Sequence, residues 1–577
     1  MQKIFAVLCT LGAAALACGD TSSDPTSGST STSNGSDPSS DTPPVTPTTT
    51  FELECTPGQQ RCADENTVEV CNATGFGWDQ AACTQYQKCQ ESAGDDGMTA
   101  VCEGPCELLK DTSIGCEFVA IRMRSGNAAD EPDTDDAIMV GNTDTEKTAV
   151  VSLYLVPDYF NLKEDLVEGP IELKPGESHV FMIDNGIMPG YTAVRTGGVY
   201  HVVSDYPVSA YLHSPFQGSD SNDASMLLPV KALGTDYIIT SYPGWVKADA
   251  PPEDLEQFTY GRPSYFNVIV TEDDTEISWT PRAKTLGSGF GFDPKEVEAG
   301  ATGTITLDRY EVLQVGAASV GLDTPFAKQD VSGTIVRANK PIAVMGATAC
   351  ARVPADSAGG CNHLQEQVLP YKYWGKSYLA AHAPFRGGDE DFHWRVYAGA
   401  ANQKFSLDPN PGVPNFSLKE VGEFKDIVIT GNVKSFAFKS GDPFMAVQLL
   451  AGHQESGDIA DPAMFQSIPV QQHLNRYVFV TGKNYAQNFA QVIRKKNGPP
   501  VFINGVEIGP WELVNVSVSG GDVSSDVCDW PLDPDESRSY LAESEGPFGV
   551  NVIGYDDTTA YAYPAGMALK PLNPDDL

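Results

Sequence analysis

The sequence predicts an all-β protein built from four tandem pseudo-repeats of short antiparallel strands, preceded by a small disulfide-rich module and a disordered linker. Three observations predict this class. Short runs of β-branched and aromatic residues, bounded by turn residues, recur from residue 114 onward. A strand motif that begins with proline occurs four times at roughly regular spacing. No long segment has the 3.6-residue periodicity of an amphipathic helix.

Each copy of the motif is a polar turn, a proline and then alternating apolar residues. The four prolines are Pro207, Pro341, Pro443 and Pro547. Apolar residues at the first and third positions after each proline give a period of two, which indicates a strand with one buried face. We expect each proline to be the first residue of its strand, where no ladder donor is needed.

A second proline follows each of these strands after a variable loop. These prolines are Pro229, Pro370, Pro469 and Pro564. Counted from Ile114, the four units run about 114–230, 231–370, 371–469 and 470–564. Each unit has room for about six or seven short strands, so a sandwich-like and a propeller-like arrangement both stay open.

Residues 1–18 are predicted to be a lipoprotein signal peptide. Lys3 precedes an apolar run that is too short to span a bilayer, and the run ends in a small residue directly before Cys18. This is similar to the bacterial lipoprotein processing site, with Cys18 as the lipidated residue. We therefore expect attachment to the outer membrane or cell surface through the N-terminal lipid only.

Residues 19–52 form the predicted disordered linker, because Ser, Thr and Pro dominate the segment and it cannot bury a core. Residues 53–113 form the predicted Cys-rich module. Six closely spaced cysteines predict three disulfides there, in any of about 15 connectivities. They are Cys55, Cys62, Cys71, Cys83, Cys89 and Cys102.

Two further disulfides are predicted between cysteines that are close in sequence. Cys106 is expected to pair with Cys116, and Cys350 with Cys361. Cys528 is then left over, and we interpret it as a partly buried free thiol.

The charge of the chain restricts its partners. With 37 basic and 77 acidic residues the formal net charge is −40, which argues against binding to nucleic acid. No cofactor motif occurs, and calcium is the most plausible ion because two loops concentrate oxygen donors. The candidate ligands are Asp133 and Asp135 in one loop and Asp220, Asn222 and Asp223 in the other. Solvated acidic loops are the simpler interpretation.

Several of these segments together resemble a known family. The prolines at 207 and 341, residues 361–370, Trp374-Gly375 and residues 561–566 resemble the N-terminal domain family of the IgGFc-binding protein, in its bacterial lipoprotein form. The resemblance covers about residues 114–570. It implies an extracellular binding or adhesion module without known catalysis, and it supplies no catalytic residue. No motif marks an Fc site.

Catalysis has little support in the residues. The phosphate-loop, zinc-protease and nucleophile-elbow motifs do not occur. His363 and Glu366 could share one turn of helix as a metal or acid–base site, although a hydrogen-bonded loop brace explains them more simply.

We therefore predict a non-enzymatic, surface-anchored adhesion lipoprotein that contacts an extracellular glycan, matrix component or protein. The predicted contact face is formed by the variable loops near 213–226, 348–366 and 452–466, since loops on rigid scaffolds commonly carry binding. The alternatives are a secreted polysaccharide hydrolase, which would need two facing carboxylates, and a purely structural envelope protein.

Overall fold

The computed structural model describes most of the chain from residue 53 onward. The described residues are 53–83, 87–94, 97–108, 112–125, 136–157, 163–185, 188, 192–216, 221–245, 263–288, 293–318, 330–357, 360–386, 390–430, 435–452, 461–516, 524–534, 538–573 and 577. The predicted signal peptide, Cys18 and the predicted linker lie outside them.

The Cys-rich module consists of a three-stranded antiparallel sheet, a hairpin and one short helix. These elements are β1 (Gln60–Asp64), β2 (Thr67–Cys71), β3 (Trp78–Ala82), β4 (Lys88–Gly94), β5 (Gly97–Glu103) and α1 (Pro105–Leu108). Its buried apolar cluster is small, with Val68 and Ala100 packed among cysteines. Three disulfides supplement this core, as is usual for domains too small to bury much surface. They join Cys55 to Cys71, Cys62 to Cys89, and Cys83 to Cys102.

The rest of the described chain forms four large antiparallel sheets, one per unit. The first unit supplies β6 (Gly115–Ala120), β7 (Asp136–Asn142), β8 (Ala149–Val156), β9 (Asp165–Leu173), β10 (Ser178–Ile183), β11 (Ala193–Thr196), β12 (Val199–Ser214) and β13 (Asp223–Met226). The second supplies β14 (Gly234–Ile238), β15 (Ser264–Val270), β16 (Thr275–Thr280), β17 (Gly303–Leu307), β18 (Glu311–Gly316), β19 (Ile335–Ala351) and β20 (Asn362–Gln367).

The third and fourth units follow the same order of elements. The third supplies β21 (Gly375–Ala380), β22 (Phe392–Ala398), β23 (Gln403–Asp408), β24 (Phe416–Leu418), β25 (Phe424–Ile429), β26 (Phe436–Leu449) and β27 (Met464–Gln466). The fourth supplies β28 (Leu474–Val480), β29 (Gln487–Lys495), β30 (Val501–Ile503), β31 (Val506–Glu507), β32 (Glu512–Val514), β33 (Ser525–Leu532), β34 (Ser539–Asp556) and β35 (Thr559–Pro564).

Each sheet is organised around one long strand, which is β12, β19, β26 or β34. In every unit the first strand pairs with the beginning of the long strand, and the last strand pairs with its end. The sheets are not isolated from one another, because β11 leaves the first unit and pairs with β18 in the second sheet. The largest apolar cluster contains residues of all four units.

The four motif prolines lie inside the long strands, so the prediction that each proline begins its strand is wrong. Pro207 shows why a proline fits there. β12 pairs with β8 up to Ser204 and with β7 from Val208 onward, so the strand changes neighbours at the proline. The missing N–H is then not needed in a ladder. The same change of neighbours surrounds Pro341, Pro443 and Pro547.

Three of the second prolines have equivalent positions. Pro229, Pro370 and Pro469 each precede a 3-10 turn, formed by Val230–Ala232, Tyr371–Tyr373 and Val470–Gln472. Pro564 differs from them, which corrects the fourth copy of the predicted pattern. Pro564 lies in β35 and pairs with Asn551, which is four residues after the motif proline Pro547. In the second sheet the residue at the equivalent position is Gln367, which pairs with Met345, four residues after Pro341. Counted in register, Met567 has the position of the second proline in the fourth unit.

The last strands of the four units are the inner strands of the molecule. β13 contacts β20 and β35, and β27 contacts both β20 and β35. The four contacts close a ring around one axis, as in the propeller-like alternative, although each sheet is curled into a half-barrel and not flat. We call these four strands the inner ring. The predicted fold class, all-β with tandem sheets after a disulfide-rich region, is confirmed.

The C-terminal segment joins the fourth unit to the first. The N–H of Ser113 donates to the carbonyl of Met567 at 2.8 Å, and Thr112 bridges Ala568. The Tyr211 hydroxyl donates to the carbonyl of Ala565 at 2.5 Å. Within the described ranges, no helix is long and apolar enough to cross a membrane.

Candidate binding face

The inner ring has two ends that differ in what surrounds them. At one end, which we call the base, the inner strands lead to Pro229, Pro370 and Pro469 and their 3-10 turns. At the other end, which we call the loop end, the long strands give way to the inner strands through loops. These loops contain segments outside the described residues, at 217–220, 358–359 and 453–460.

The Cys-rich module packs at the base. The disulfide between Cys106 and Cys116 joins its helix to the first strand of the first sheet. The Lys231 side chain, in the 3-10 turn after Pro229, donates to the carbonyl of Cys106 at 2.7 Å. The N-terminal side of the chain therefore enters at the base, opposite the loop end.

Loops are tied together at the loop end, both within the second unit and between the second and third units. Trp245 N–H donates to the carbonyl of Cys350 at 2.8 Å, and Gly452 N–H donates to that of Val353 at 2.8 Å. The disulfide between Cys350 and Cys361 closes the loop between the long and inner strands of the second sheet. The described parts of these loops therefore form a fixed platform.

Beneath this platform, four equivalent N–H groups converge on the carboxylate of Asp223, at the start of β13. Its Oδ1 accepts from Ala224 at 2.9 Å and from Ala562 at 3.4 Å. Its Oδ2 accepts from Gln365 and Met464, both at 3.1 Å. Each donor lies on a different inner strand, so one side chain hydrogen-bonds all four units. Burial raises the pKa of Asp223 well above its ordinary value, although the hydrogen bond from Gln365 opposes the shift.

Glu366, on β20, is a second fully buried carboxyl group near the axis. It accepts from Gln466 N–H at 3.0 Å, and its other oxygen lies 2.9 Å from the Ser225 hydroxyl. Burial raises the pKa of Glu366 to about 8, against the hydrogen bonds from Gln466 and Ser225. The Ser225 hydroxyl also lies 3.2 Å from the carbonyl of Met226. It can therefore accept a hydrogen bond from protonated Glu366 and donate its own hydrogen to the carbonyl of Met226.

His363 does not act together with Glu366. Both residues lie on β20, so the hypothesis that they share a helical turn is wrong, and their separation of three residues directs them to opposite faces of the strand. His363 is buried, and its Nδ1 lies 3.0 Å from the carbonyl of Thr348. Burial lowers the pKa of this imidazole to about 4. Both side chains are hydrogen-bonded, but within a strand and not in the loop that the simpler interpretation assumed.

The calcium candidates divide into two groups. Asp133, Asp135 and Asp220 lie outside the described residues. Asn222 and Asp223 are buried, and their oxygens are occupied by protein donors, among them the hydroxyl of Thr559 on Asn222. Within the part of the chain that the structure describes, no three His, Cys, Asp or Glu side chains are grouped to hold a metal ion.

The predicted contact loops are only partly at the surface. Residues 221–226, 362–366 and 461–466 are entirely buried at the inner ring, so for them the prediction of a contact face is wrong. The sequence prediction failed here because polar residues such as Gln365 are usually exposed, and these are buried. In the structure their side chains pair with backbone of the neighbouring unit, as when Gln365 donates to the carbonyl of Leu212 at 3.1 Å.

The sequence reasoning missed three side chains of the loop end, of which Phe385 is exposed and Trp245 and Arg352 are half-buried. Phe385 is 50% exposed, and the buried Arg386 beside it donates to the carbonyl of Ala451 at 2.9 Å. Arg352 lies over the ring of Trp245, 4.2 Å from its centroid. Aromatic residues and arginine are enriched in protein interfaces. Single side chains of these types carry no periodic signal, so only the folded chain brings them to one face.

The architecture and the platform are those of an extracellular-type binding protein: a disulfide-clasped base, a closed ring of sheets and a loop face that carries the exposed Phe385 and the half-buried Trp245 and Arg352. A family model described as IgGFc binding protein matches residues 223–554, which is more than half of the chain. The chain belongs to this family. The family is one of binding proteins and not of enzymes, and the disulfides suit an extracellular or secreted protein.

A human protein is similar in sequence to a shorter part of this chain. The human IgGFc-binding protein is 27% identical to this chain over 210 residues. The aligned segment is 36% of this chain and 3% of the human protein. The chain therefore corresponds to a small part of that relative.

Proposed function

We propose that this chain is a lipid-anchored binding protein of the cell surface that contacts an extracellular protein through its loop end. One observation carries the proposal. The module that follows the predicted tether packs at the base, whereas Trp245, Arg352 and Phe385 lie at the opposite end. A tethered molecule of this shape presents the loop end away from the surface that holds it.

The anchor rests on Cys18 and on the Ser/Thr/Pro-rich residues 19–52, which would act as an extended spacer from the outer membrane. Growth with a labelled fatty acid tests it. The wild-type protein should carry label, and a Cys18→Ala variant should carry none and leave the membrane fraction. Equal labelling of both proteins would contradict the anchor.

A protein is the ligand class favoured by the platform, because aromatic and arginine side chains are enriched in protein interfaces. The human relative is named for the Fc region of immunoglobulin G, so Fc is one protein to include among the candidates. A glycan is the second ligand class, and a combined protein and glycan array separates the two.

The decisive experiment combines that array with matched variants. Phe385→Asp should weaken binding of the captured ligand by about tenfold or more, because it replaces an exposed aromatic ring of the platform with a charge. Val506→Asp is the control, since Val506 is 55% exposed in the fourth sheet, away from the platform. Equal loss in both variants, or unchanged binding in Phe385→Asp, would refute the loop end as the contact face.

A further inference from the structure

A second concave surface lies at the base, between the Cys-rich module and the first sheet. The cleft has a volume of about 880 Å³, within the range of about 300–1,000 Å³ of small-molecule sites. Part of its wall is apolar, formed by Pro105, Pro229, Tyr373 and Leu569. We call it the base cleft.

The charged groups of the base cleft are mainly acidic. Glu117 and Asp205 line it, together with His201 and Lys231. The ammonium group of Lys231 already donates to the carbonyl of Cys106 at 2.7 Å. With His201 neutral, these four side chains sum to one negative charge, which favours a cationic ligand.

His201 lies between two carboxylates. Its Nε2 is 3.0 Å from Glu117 Oε1, and its Nδ1 is 3.1 Å from Glu164 Oε1. Tyr310, from the second sheet, hydrogen-bonds Glu164 and lies 3.5 Å from His201 Nδ1. Arg309 donates to the Tyr310 hydroxyl at 2.6 Å and lies 3.8 Å from Glu117. These are the charged and titratable groups that face the imidazole.

The cluster makes the charge of the base cleft depend on pH. Burial by itself lowers the pKa of His201, but the hydrogen bond to Glu117 and the charge of Glu164 raise it above its ordinary value. The hydrogen bond from His201 lowers the pKa of Glu117. Protonated His201 therefore neutralises Glu117, and loss of that proton leaves Arg309, at 3.8 Å, as the remaining cation beside the carboxylate.

We propose that the base cleft binds a lysine- or arginine-bearing peptide segment of a partner protein, with its cationic group at Glu117 and its apolar residues on the proline-lined wall. His201 competes with the ligand as an internal cation. Binding strengthens as pH rises through the titration of His201. This site is independent of the loop end and of the ligand that binds there.

The test is calorimetric titration of the full-length protein with two capped tripeptides, acetyl-Leu-Lys-Leu-amide and acetyl-Leu-Gln-Leu-amide. The lysine peptide should bind about tenfold more tightly than the glutamine peptide, and more tightly at about pH 9 than at about pH 6. Equal affinity of the two peptides, or tighter binding at the lower pH, would overturn the proposal.

Variants identify the site. Glu117→Gln should reduce affinity for the lysine peptide about fivefold or more, whereas Glu543→Gln, in the fourth sheet beside Arg476, should not change it. Val203→Trp fills the cleft at a residue that is 37% exposed, so it should block the peptide in a folded protein.

Discussion

At the scale of single residues, Asp223 connects the four units. Its two oxygens accept N–H groups from β13, β20, β27 and β35. A carboxylate has four acceptor positions, and here each faces a donor. Asp223 is therefore the residue at which the fourfold arrangement is held in register.

We predict that Asp223→Asn destabilises the fold by about 2–5 kcal/mol, because the new amide group would face two buried N–H donors. Urea unfolding followed by circular dichroism measures the loss. Asp408→Asn is the control, since Asp408 pairs with Lys439 at a partly exposed site and should cost about 1 kcal/mol or less. Equal losses of stability in the two variants would show that the four hydrogen bonds to Asp223 contribute no more than an ordinary surface ion pair.

Glu366 gives the fold a dependence on pH. Its pKa is raised by burial from the ordinary 4.5 to about 8, so the folded protein holds this proton more tightly than the unfolded chain does. The resulting stabilisation is present in full below about pH 4.5 and is lost as pH rises to about 8.

We predict that Glu366→Gln removes this part of the pH dependence, because glutamine resembles the protonated acid and does not titrate. Melting temperatures measured between about pH 5 and pH 8 should fall less steeply in the variant than in the wild type. Glu507→Gln, at an exposed position in β31, is the control and should follow the wild type. Parallel curves for Glu366→Gln and the wild type would contradict the assignment.

At the scale of elements, the repeated contact is between the glycine that opens a unit and the proline that closes it. A Cβ at Gly234 would lie 2.7 Å from Cβ of Pro370, and one at Gly375 would lie 2.6 Å from Cβ of Pro469. Close by, the Tyr237 hydroxyl accepts from Gly234 N–H at 2.9 Å and donates to the carbonyl of Ile342 at 2.6 Å. This tyrosine connects the first strand to the long strand where the ladder is interrupted.

We predict that Gly234→Ala destabilises the protein by about 1–3 kcal/mol through overpacking against Pro370. Gly441→Ala is a matched control, because a Cβ there meets nothing within 4 Å. The control should unfold at the same denaturant concentration as the wild type or slightly above it. A stable Gly234→Ala variant would show that the proline moves aside without cost.

Part of this element-level pattern was readable in the sequence. Pro207, Pro341, Pro443 and Pro547 do occupy equivalent places in strands. The prediction that one face of each strand is buried is incomplete, because the residues after each proline are buried on both faces. The sequence did not show that each proline lies within a long strand. That position depends on the pairing of the long strand with one neighbouring strand before the proline and with a different one after it. Pro564 matched the pattern by composition alone, and the register places it elsewhere.

At the scale of the whole molecule, ring closure depends on the C-terminal segment. Residues 565–573 contact Tyr211 of the first unit and Ser113, the residue just before that unit. Asn573 donates to the carbonyls of Tyr371 and Trp374 in the third unit, at 3.0 and 2.7 Å. The first and fourth units also meet directly, where the Ser209 hydroxyl donates to the carbonyl of Val478 at 2.8 Å.

We predict that truncation after Pro564 loosens the junction between the first and fourth units and lowers the unfolding midpoint, because buried backbone groups lose their partners. Hydrogen exchange should increase first in residues 112–120 and 474–480. Truncation after Asn573 is the control, since it removes the Leu577 carbonyl bonded by Arg337 and leaves these contacts intact. If truncation after Pro564 left the hydrogen-exchange pattern unchanged, closure of the ring by this segment would be contradicted.

The sequence by itself determined the class of the fold, the existence of four like units and the disulfide-rich base, because strand periodicity, motif spacing and cysteine density are local properties of the chain. It also pointed to the family through the residues around Cys361 and Trp374. Only the tertiary structure decided that the units close into a ring, that polar residues such as Asp223 and Glu366 lie inside it, and that Phe385 and Arg352 both lie at the loop end. Those outcomes depend on contacts between residues more than 100 positions apart, such as that of Asp223 with Gln365, and local patterns do not encode which distant strand each side chain meets.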